Sequence, residues 1–157
     1  MKTLIIRHKK ENLKKCSLRH LERDSSLIFK SYPTDQISFE GYLHLKVDAP
    51  TLSFADCNYR LLLIDATWRL AAKMEQVLSL PTHGRSLPRS LQTAYPRRQD
   101  QENGLASVEA LYVAHLILGR PYEHLLNYYY WKEPFLAKNH AVLVDLIHAK
   151  TTCKFSE

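Results

Sequence analysis

The chain has 157 residues, of which 45% are hydrophobic and 24% charged, a composition typical of one globular domain with a buried core. Its formal net charge of +6 favours an anionic partner, nucleic acid first, over the alternative of a basic protein without such a partner. No apolar run approaches the roughly 20 residues that a membrane helix needs, so we expect no membrane partner.

The first half of the chain predicts three strands. Residues 3–8, "TLIIRH", form the first strand, and residues 26–33 form the second, which ends at a proline because proline lacks the ladder N–H. Residues 60–65, "RLLLID", form the third; its continuous apolar run is typical of a parallel strand buried on both faces. Short helices are predicted around residues 13–22 and within residues 51–58.

Helices dominate the second half. A helical pattern covers residues 66–80, with Thr67 as its N-cap, and another covers residues 107–118, where Gly119 stops it. An extended piece within residues 84–96 and two further helices, residues 122–139 and 141–150, complete the predicted elements. Strands that alternate with helices predict an α/β fold, a single domain with a mostly parallel sheet flanked by helices.

Asp65 and Trp68 lie where the third predicted strand gives way to a helix. Ligands of parallel sheets bind beyond the carboxyl ends of the strands. A carboxylate there can hold a ribose hydroxyl or act as a general base, and the alternative is a helix cap or another structural hydrogen bond. Trp68 offers a flat face for a purine or a sulfonium cation, although a core position is the commoner fate of such a residue.

Residues 87–110, "LPRSLQTAYPRRQDQENGLASVEA", are rich in proline and arginine before a helix that starts near Ser107. Backbone N–H groups at a helix start can bind a carboxylate or a phosphate. The alternative is a local cap made by Ser107 and Glu109. The arginines of this segment can bind phosphates, and a solvated loop is the alternative of equal weight.

The stretch "NYYYWKEPF" places the aromatic residues 128–131 beside Lys132. Such a cluster can stack nucleic-acid bases, but at helical spacing core and rim positions are commoner, and we prefer that interpretation. The three cysteines and eight histidines show no metal-ligand spacing, so we expect no metal, and a reducing, cytoplasmic setting. No glycine-rich nucleotide motif is present, and the N-terminal segment lacks the apolar core of a signal peptide.

Five segments in order carry a family resemblance. "LKKCSLRHLE" is similar to a basic segment with Lys-x-Cys-Thr, and "LIDATWRLA" to Asp-x-Ser/Thr-Trp. "LPRSLQTAYP" is similar to Leu-Pro-x-Leu-x-Ala-Ala-Asn-Pro with one extra residue, "GLASVEAL" to Leu-Ser-x-x-Glu-Ala, and "YYYWKEPFLAKN" to Trp-x-x-x-Phe-Leu-x-x-Asn. The chain thereby resembles the S-adenosylmethionine-dependent 3-amino-3-carboxypropyltransferases that modify ribosomal RNA, and the related DTW-domain enzymes that act on tRNA uridine.

The resemblance implies a SPOUT-like fold, which is a parallel sheet with helices on both faces and a C-terminal trefoil knot. It implies one domain over residues 1–157, with an N-terminal part that carries the basic segment, residues 1–55, and a cofactor-binding part, residues 56–157. A monomer is also implied, because this family is similar to the monomeric exceptions among the SPOUT proteins.

The resemblance also implies a site for S-adenosylmethionine as co-substrate, without a metal. Asp65 would face the attacking base nitrogen as the catalytic residue. The cofactor would contact an apolar adenine pocket, the ribose-facing backbone of the third strand and a small set of groups around its aminocarboxypropyl tail: Ser17, Pro33, Ile64, Trp68, Ala71, Leu87, Asn103, Leu105 and Ser107. RNA would contact the basic clusters, namely Lys14, Lys15, Arg19, Arg89, Arg97 and Arg98.

The expected activity is transfer of the aminocarboxypropyl group to a uridine or pseudouridine-type base of ribosomal RNA during ribosome biogenesis. The alternatives are a tRNA uridine aminocarboxypropyltransferase, a SPOUT RNA methyltransferase and a non-catalytic RNA-binding assembly factor. Two departures from the family pattern fall in loops expected to touch RNA: "YPRRQD" replaces Asn-Pro-x-Asn-Tyr-Gly, and "KEN" replaces Cys-Asp-Pro. The reaction is therefore better defined than the RNA substrate.

Overall fold

The computed structural model describes residues 1–33, 37–96 and 104–154. The chain forms two compact units. The first, here called the sheet unit, comprises Met1–Pro50 and Tyr59–Ser86. The second, here called the helical unit, comprises Thr51–Asn58 and Leu87–Glu157. A single domain divided at residue 55 remains a prediction.

The described residues form five strands, which belong to the sheet unit and pair in parallel, in the order β2-β1-β4-β3-β5. The strands are β1 (Thr3–His8), β2 (Leu27–Tyr32), β3 (Tyr42–Leu45), β4 (Arg60–Asp65) and β5 (Gly84–Arg85). The predicted α/β class with a mostly parallel sheet is therefore confirmed.

The central strands are apolar because both of their faces are covered. All six residues of β1 are buried, and β4 carries Leu61, Leu62 and Leu63 in its buried middle. Leu62 packs with Met74 of the following helix in one core cluster, and removal of such side chains from water is the main stabilising term of the unit. This packing holds the carboxyl ends of β1 and β4 in fixed positions.

Helix α1 (Trp68–Val77) follows β4 after two residues. The predicted N-cap is confirmed, since the Thr67 hydroxyl accepts a hydrogen bond from the backbone N–H of Leu70 at 3.4 Å. The predicted helix reached residue 80, but Leu78 is extended and α1 ends before it.

Strand β3 was not among the predicted elements. It is only four residues long, and its third residue is a histidine that interrupts the apolar pattern. His44 is nevertheless buried in the sheet, and burial, followed by the charge of Lys46, lowers its pKa to about 4. His44 is therefore neutral at neutral pH, and its 3.9 Å separation from Glu75 is not a charged pair there.

The described residues of the helical unit form three α-helices: α2 (Ser107–Ile117), α3 (Lys132–Lys138) and α4 (His140–Lys154). The single helix predicted over residues 122–139 is wrong in its first half, where a 3-10 turn, Glu123–Leu126, precedes α3. The short helix predicted within residues 51–58 is present as a 3-10 turn, Phe54–Asp56. The one predicted around residues 13–22 is wrong, because that segment forms successive turns.

The end of α2 shows why Gly119 stops it. The N–H of Gly119 donates to the carbonyl of Leu116, and the N–H of Arg120 donates to that of His115, the two bonds of a Schellman motif. The motif needs a left-handed residue, and Gly119 has φ of 71°. Within the described ranges, no helix is both long and apolar enough to cross a membrane.

Candidate functional site

The carboxyl ends of β1 and β4 form the position in this sheet where a ligand is expected. These two strands are neighbours, yet the chain leaves β1 for β2 on one side and leaves β4 towards β5 on the other. Adjacent strands with opposite connections create a crevice at their carboxyl ends in open α/β sheets. Arg7 and Asp65 are register partners there.

Asp65 is 4% exposed and accepts hydrogen bonds from Arg7 and Cys16. Arg7 Nε donates to Asp65 Oδ2 at 2.9 Å, and Cys16 Sγ donates to the same oxygen at 3.2 Å. The structural hydrogen-bond interpretation of Asp65 thus has direct support. Its predicted catalytic contact with a base remains a prediction.

Arg7 is the centre of this cluster. Besides Asp65 it contacts Cys16 Sγ at 3.5 Å and Glu22 Oε1 at 3.1 Å, and its guanidinium lies 4.8 Å from the centre of the Phe29 ring. Burial acts to lower the pKa of Arg7, but the hydrogen bond and charge of Asp65 raise it above its ordinary value. The fork of an arginine suits this arrangement better than the point charge of a lysine.

Cys16 serves as a hydrogen-bond donor and not as a nucleophile. Burial, followed by the negative charge of Asp65, raises the pKa of its thiol to about 12. A nucleophilic cysteine requires a thiolate, which this environment disfavours. The thiol therefore links the basic segment that contains it to the carboxyl end of β4.

Most of the predicted cofactor residues of the sheet unit lie within a few positions of Cys16 or Asp65 along the chain. Trp68 and Ala71 lie on the first turns of α1 and are partly exposed, whereas Met74 of the same helix is fully buried. The Ile64 side chain packs against the core, and the contact of its backbone with a ribose remains a prediction. Ser17 is partly exposed next to Cys16, and Pro33 is exposed directly after β2.

The predicted residues of the helical unit are Leu87, Leu105 and Ser107, and all three are partly exposed. Ser107 is the first residue of α2, as predicted. Asn103 lies outside the described residues. The structure therefore divides the predicted cofactor residues between the two units.

Glu109 is the buried centre of the helical unit. It is 0% exposed and accepts hydrogen bonds from four donors: Thr93 Oγ1 at 2.7 Å, Ala94 N at 2.9 Å, Ala106 N at 2.9 Å and Tyr129 Oη at 2.9 Å. Four donors satisfy the lone pairs of a carboxylate. The bond from Ala106 N shows that Glu109 caps this helix start, while a part for Ser107 in the cap remains a prediction.

Asn139 makes a second link within the helical unit. Its side chain accepts from Gln92 N at 2.7 Å and donates to the Gln92 carbonyl at 2.8 Å. Asn139 itself is 1% exposed. The loop before Tyr95 is thus attached to both α2 and the end of α3.

These contacts gather the five family-like segments into two hydrogen-bonded clusters. In the sheet unit, Cys16 and Asp65 join the first two segments. In the helical unit, Glu109 and Asn139 join the other three. Sequence positions far apart are thus brought together by buried polar side chains.

The predicted RNA-binding residues are placed only in part. Lys14, Lys15, Arg19 and Arg89 are exposed, while Arg97 and Arg98 lie outside the described residues. Lys14 lies in a turn, and its backbone N–H donates to Asn12 Oδ1 at 3.1 Å. In the part of the chain that the structure describes, no three His, Cys, Asp or Glu residues are grouped so as to hold a metal ion.

The sequence interpretation missed Arg7, Cys16 and Glu109 as site residues. Two of them carried a detectable signal. Arg7 is a charge inside an apolar strand, and Glu109 is an acid inside an apolar helix; buried charges of this kind require partners. The signal reveals that a partner exists but not which residue it is.

Comparisons with known proteins place the fold. No protein-family model and no curated protein matches this chain. Among solved structures, the chain is similar to the SAM-dependent rRNA:acp-transferase Tsr3 from Vulcanisaeta distributa. The two share 21% sequence identity with a TM-score of 0.72, over 94% of this chain and 84% of the other. The chain therefore has the fold of that transferase.

Proposed function

We propose that this protein is an S-adenosylmethionine-dependent aminocarboxypropyltransferase that modifies a uridine or pseudouridine-type base of ribosomal RNA. The observation that carries the proposal is the match of nearly the whole chain to the fold of an rRNA:acp-transferase. The clusters around Asp65 and Glu109 add support, because each joins segments that resemble the same family.

The proposed chemistry is a displacement at carbon. A base N–H of the RNA attacks Cγ of the aminocarboxypropyl chain, an N–C bond forms, and the S–Cγ bond breaks. Its electron pair stays on sulfur, 5′-methylthioadenosine leaves, and the proton of the base passes to solvent. Selectivity among the three carbons bonded to the sulfonium is a matter of which one lies in line with the nucleophile.

The side chains at the carboxyl end of β4 fit such a co-substrate. Trp68 offers a partly exposed ring that can cover a sulfonium and its methyl group. Ala71, one turn further, leaves room for a short aliphatic chain, and the hydroxyl of Ser17 can donate to its carboxylate. Leu87 and the backbone near Asn103 or Leu105 are proposed for the adenine, and the backbone around Ser107 is proposed for the carboxylate.

Asp65 is proposed to orient the attacking N–H and not to remove its proton. Arg7 donates to Asp65 from 2.9 Å, and this contact holds the carboxylate in one orientation. A fixed acceptor that aligns the nucleophile is consistent with this pairing. Arg7 and Cys16 would then act as positioning residues.

The finer parts of the proposal concern context. The fold neighbour acts on rRNA, which favours rRNA over tRNA as the substrate. The net charge of +6 and the exposed Lys14, Lys15, Arg19 and Arg89 suit a phosphate backbone, and Arg97 and Arg98 are proposed to join them. A SPOUT-type C-terminal trefoil knot, a monomeric state, a cytoplasmic location and a role in ribosome biogenesis belong to the proposal as well.

The binding part of the proposal is tested by calorimetry with S-adenosylmethionine. Trp68→Ala should weaken binding at least about fivefold, because the ring's contact with the sulfonium is lost. Val77→Ala, at the other end of α1 and 69% exposed, is the matched control and should bind as the wild type does. Equal affinity of all three proteins would overturn the pocket assignment.

A SPOUT methyltransferase is the alternative that shares this pocket. The acp-transferase activity of the fold neighbour argues against it. The two reactions differ in the carbon that reaches RNA, so a label in the methyl group of the co-substrate reaches RNA only in the methyltransferase. A non-catalytic RNA-binding factor would bind RNA without binding S-adenosylmethionine.

A further inference from the structure

The aromatic residues 128–131 are not accounted for by the proposed chemistry. Tyr129 is buried, but Tyr128 is 67% exposed and Tyr130 is 85% exposed. Large aromatic side chains this exposed leave apolar surface in water unless a partner covers them. The preferred sequence interpretation, core and rim, is therefore correct for Tyr129 and does not explain Tyr130.

Tyr130 belongs to a connected set of rings. Its centre lies 5.0 Å from that of Trp131, edge to face, and Trp131 lies 5.1 Å from Tyr95 in the same kind of contact. Trp131 is partly exposed, as is Tyr95. We call Tyr95, Tyr130 and Trp131 the ring surface.

Hydrogen bonds to the buried Glu109 hold the backbone on both sides of the ring surface. Tyr129, between Tyr128 and Tyr130, donates its hydroxyl to Glu109, and the same carboxylate holds Thr93 and Ala94 just before Tyr95. Tyr95 N also donates to Thr93 Oγ1 at 3.1 Å. Because buried groups hold both ends of the surface, little conformational freedom is lost when a ligand stacks on it.

The charges around the ring surface favour a nucleic acid over a neutral partner. Lys132 follows Trp131 directly, and Lys138 is attached to the same loop through a 3.3 Å hydrogen bond to the Thr93 carbonyl. Glu133 is the one acid of α3 against these two lysines. Aromatic faces beside lysines in a chain of net charge +6 are typical of sites that stack unpaired bases and neutralise phosphates.

We propose that the ring surface binds an unpaired base of the RNA substrate by stacking, with Tyr130 as the outermost ring and Lys132 beside the phosphate. The inference rests on the proposed function only in taking RNA as the partner. It assigns to the helical unit a stacking contact with an unpaired base, in addition to the phosphate contacts proposed for Arg89, Arg97 and Arg98.

The test compares the binding of two labelled RNA oligonucleotides by fluorescence anisotropy at fixed salt. One has an ordinary mixed sequence, and the other has the same length and phosphate charge but abasic riboses. Tyr130→Ala should bind the ordinary RNA roughly five- to tenfold more weakly than the wild type, because one stacking contact is lost. Tyr130→Phe keeps the ring and should restore wild-type affinity.

Two further comparisons isolate stacking from charge. The abasic RNA should bind wild type and Tyr130→Ala equally, whereas Lys132→Ala should weaken binding of both RNAs. Tyr59→Ala removes an exposed aromatic of the sheet unit, stacked on His83, and should change neither affinity. Unchanged melting temperatures of the variants would establish that each is folded.

The inference is overturned if Tyr130→Ala binds the ordinary RNA as the wild type does, if the abasic RNA loses as much on that substitution, or if the wild type binds neither RNA. Calorimetry with S-adenosylmethionine on the same proteins separates this result from the proposed function. If Tyr130→Ala produces no base-dependent loss of RNA affinity while co-substrate binding is intact, the ring surface alone is overturned. Base-dependent RNA binding without any binding of S-adenosylmethionine overturns the proposed transferase function and leaves the ring surface supported.

Discussion

Arg7 and Asp65 lie 58 positions apart in sequence but 2.9 Å apart across two neighbouring strands, and both are buried. A buried ion pair of this kind contributes little net stability compared with apolar residues, yet removing one partner is costly. Its value here is therefore positional, since it fixes the carboxylate at the crevice between β1 and β4.

Arg7→Ala should lower the free energy of unfolding by about 3–5 kcal/mol, because it leaves the Asp65 carboxylate buried without its guanidinium. Urea denaturation measures the change. Arg23→Ala, an exposed arginine of the same unit, is the control and should stay within about 0.5 kcal/mol of the wild type. Equal losses in the two variants would contradict the assigned role of the pair.

His44 makes stability depend on pH. Its folded-state pKa of about 4 lies below the ordinary 6.5, so the unfolded chain binds the extra proton first as pH falls. The stability that neutral His44 contributes is fully present above 6.5, its pKa in the unfolded chain. It is lost as the pH falls towards about 4, its pKa in the folded protein. Lowering the pH from about 7.5 to about 5 should therefore lower the free energy of unfolding by roughly 2 kcal/mol through this group.

The pH effect is measured as the difference in urea midpoint between the two pH values, in wild type and His44→Gln. The glutamine variant does not titrate at this position, so its midpoint should depend less on pH. His140→Gln, an exposed histidine, should keep the wild-type dependence. An unchanged dependence in His44→Gln would show that the titrating group is elsewhere.

At the scale of elements, α2 and its two ends hold the helical unit together. Its middle is fully buried, its start is capped by Glu109, and its end is closed by the Schellman motif at Gly119. A Cβ at Gly119 would lie 2.9 Å from Cε2 of Phe54, closer than side chains normally approach. This glycine is therefore required both for its conformation and for the space it leaves.

Gly119→Ala and Gly41→Ala form a matched pair, because both residues have φ near 70°. Each should lose about 1–2 kcal/mol for placing an alanine in the left-handed region. Gly119→Ala should lose a further 1–3 kcal/mol, approximately, because the added methyl group meets Phe54. At Gly41 the nearest atom would be 3.7 Å away, an ordinary contact.

Thermal denaturation of both variants gives the comparison. We expect the wild type to have the highest melting temperature, Gly41→Ala a lower one and Gly119→Ala the lowest. Equal melting temperatures for the two variants would mean that Phe54 moves without cost, and that the backbone conformation alone accounts for the glycine.

Elements with a local signal could be predicted from the sequence. The apolar run of β4, the Thr67 cap and the glycine stop of α2 each depend on neighbouring residues, and all three are confirmed. Strand β3 could not be predicted, because the sequence does not distinguish a buried, neutral histidine from an exposed one, and His44 interrupts the apolar pattern. Apart from the bond between Ala106 and Glu109, the contacts of Asp65 and Glu109 join residues 15 to 58 positions apart, and no local pattern encodes such pairs.

At the scale of the whole molecule, the weak resemblance of five separate segments acquires a physical explanation. In the structure those segments are joined by hydrogen bonds within each unit, to Asp65 in one and to Glu109 and Asn139 in the other. Removing one member of such a buried polar network is costly, because it leaves the other buried groups without a hydrogen-bond partner.

The central claim, aminocarboxypropyl transfer to RNA, is tested most directly with purified protein, rRNA and tRNA from its own organism, and two forms of labelled S-adenosylmethionine. One form carries the label in the carboxyl carbon of its methionine part and the other in the methyl group. The account predicts that the carboxyl label enters rRNA and that the methyl label does not. Entry of the methyl label alone, or of neither label into either RNA, would contradict it.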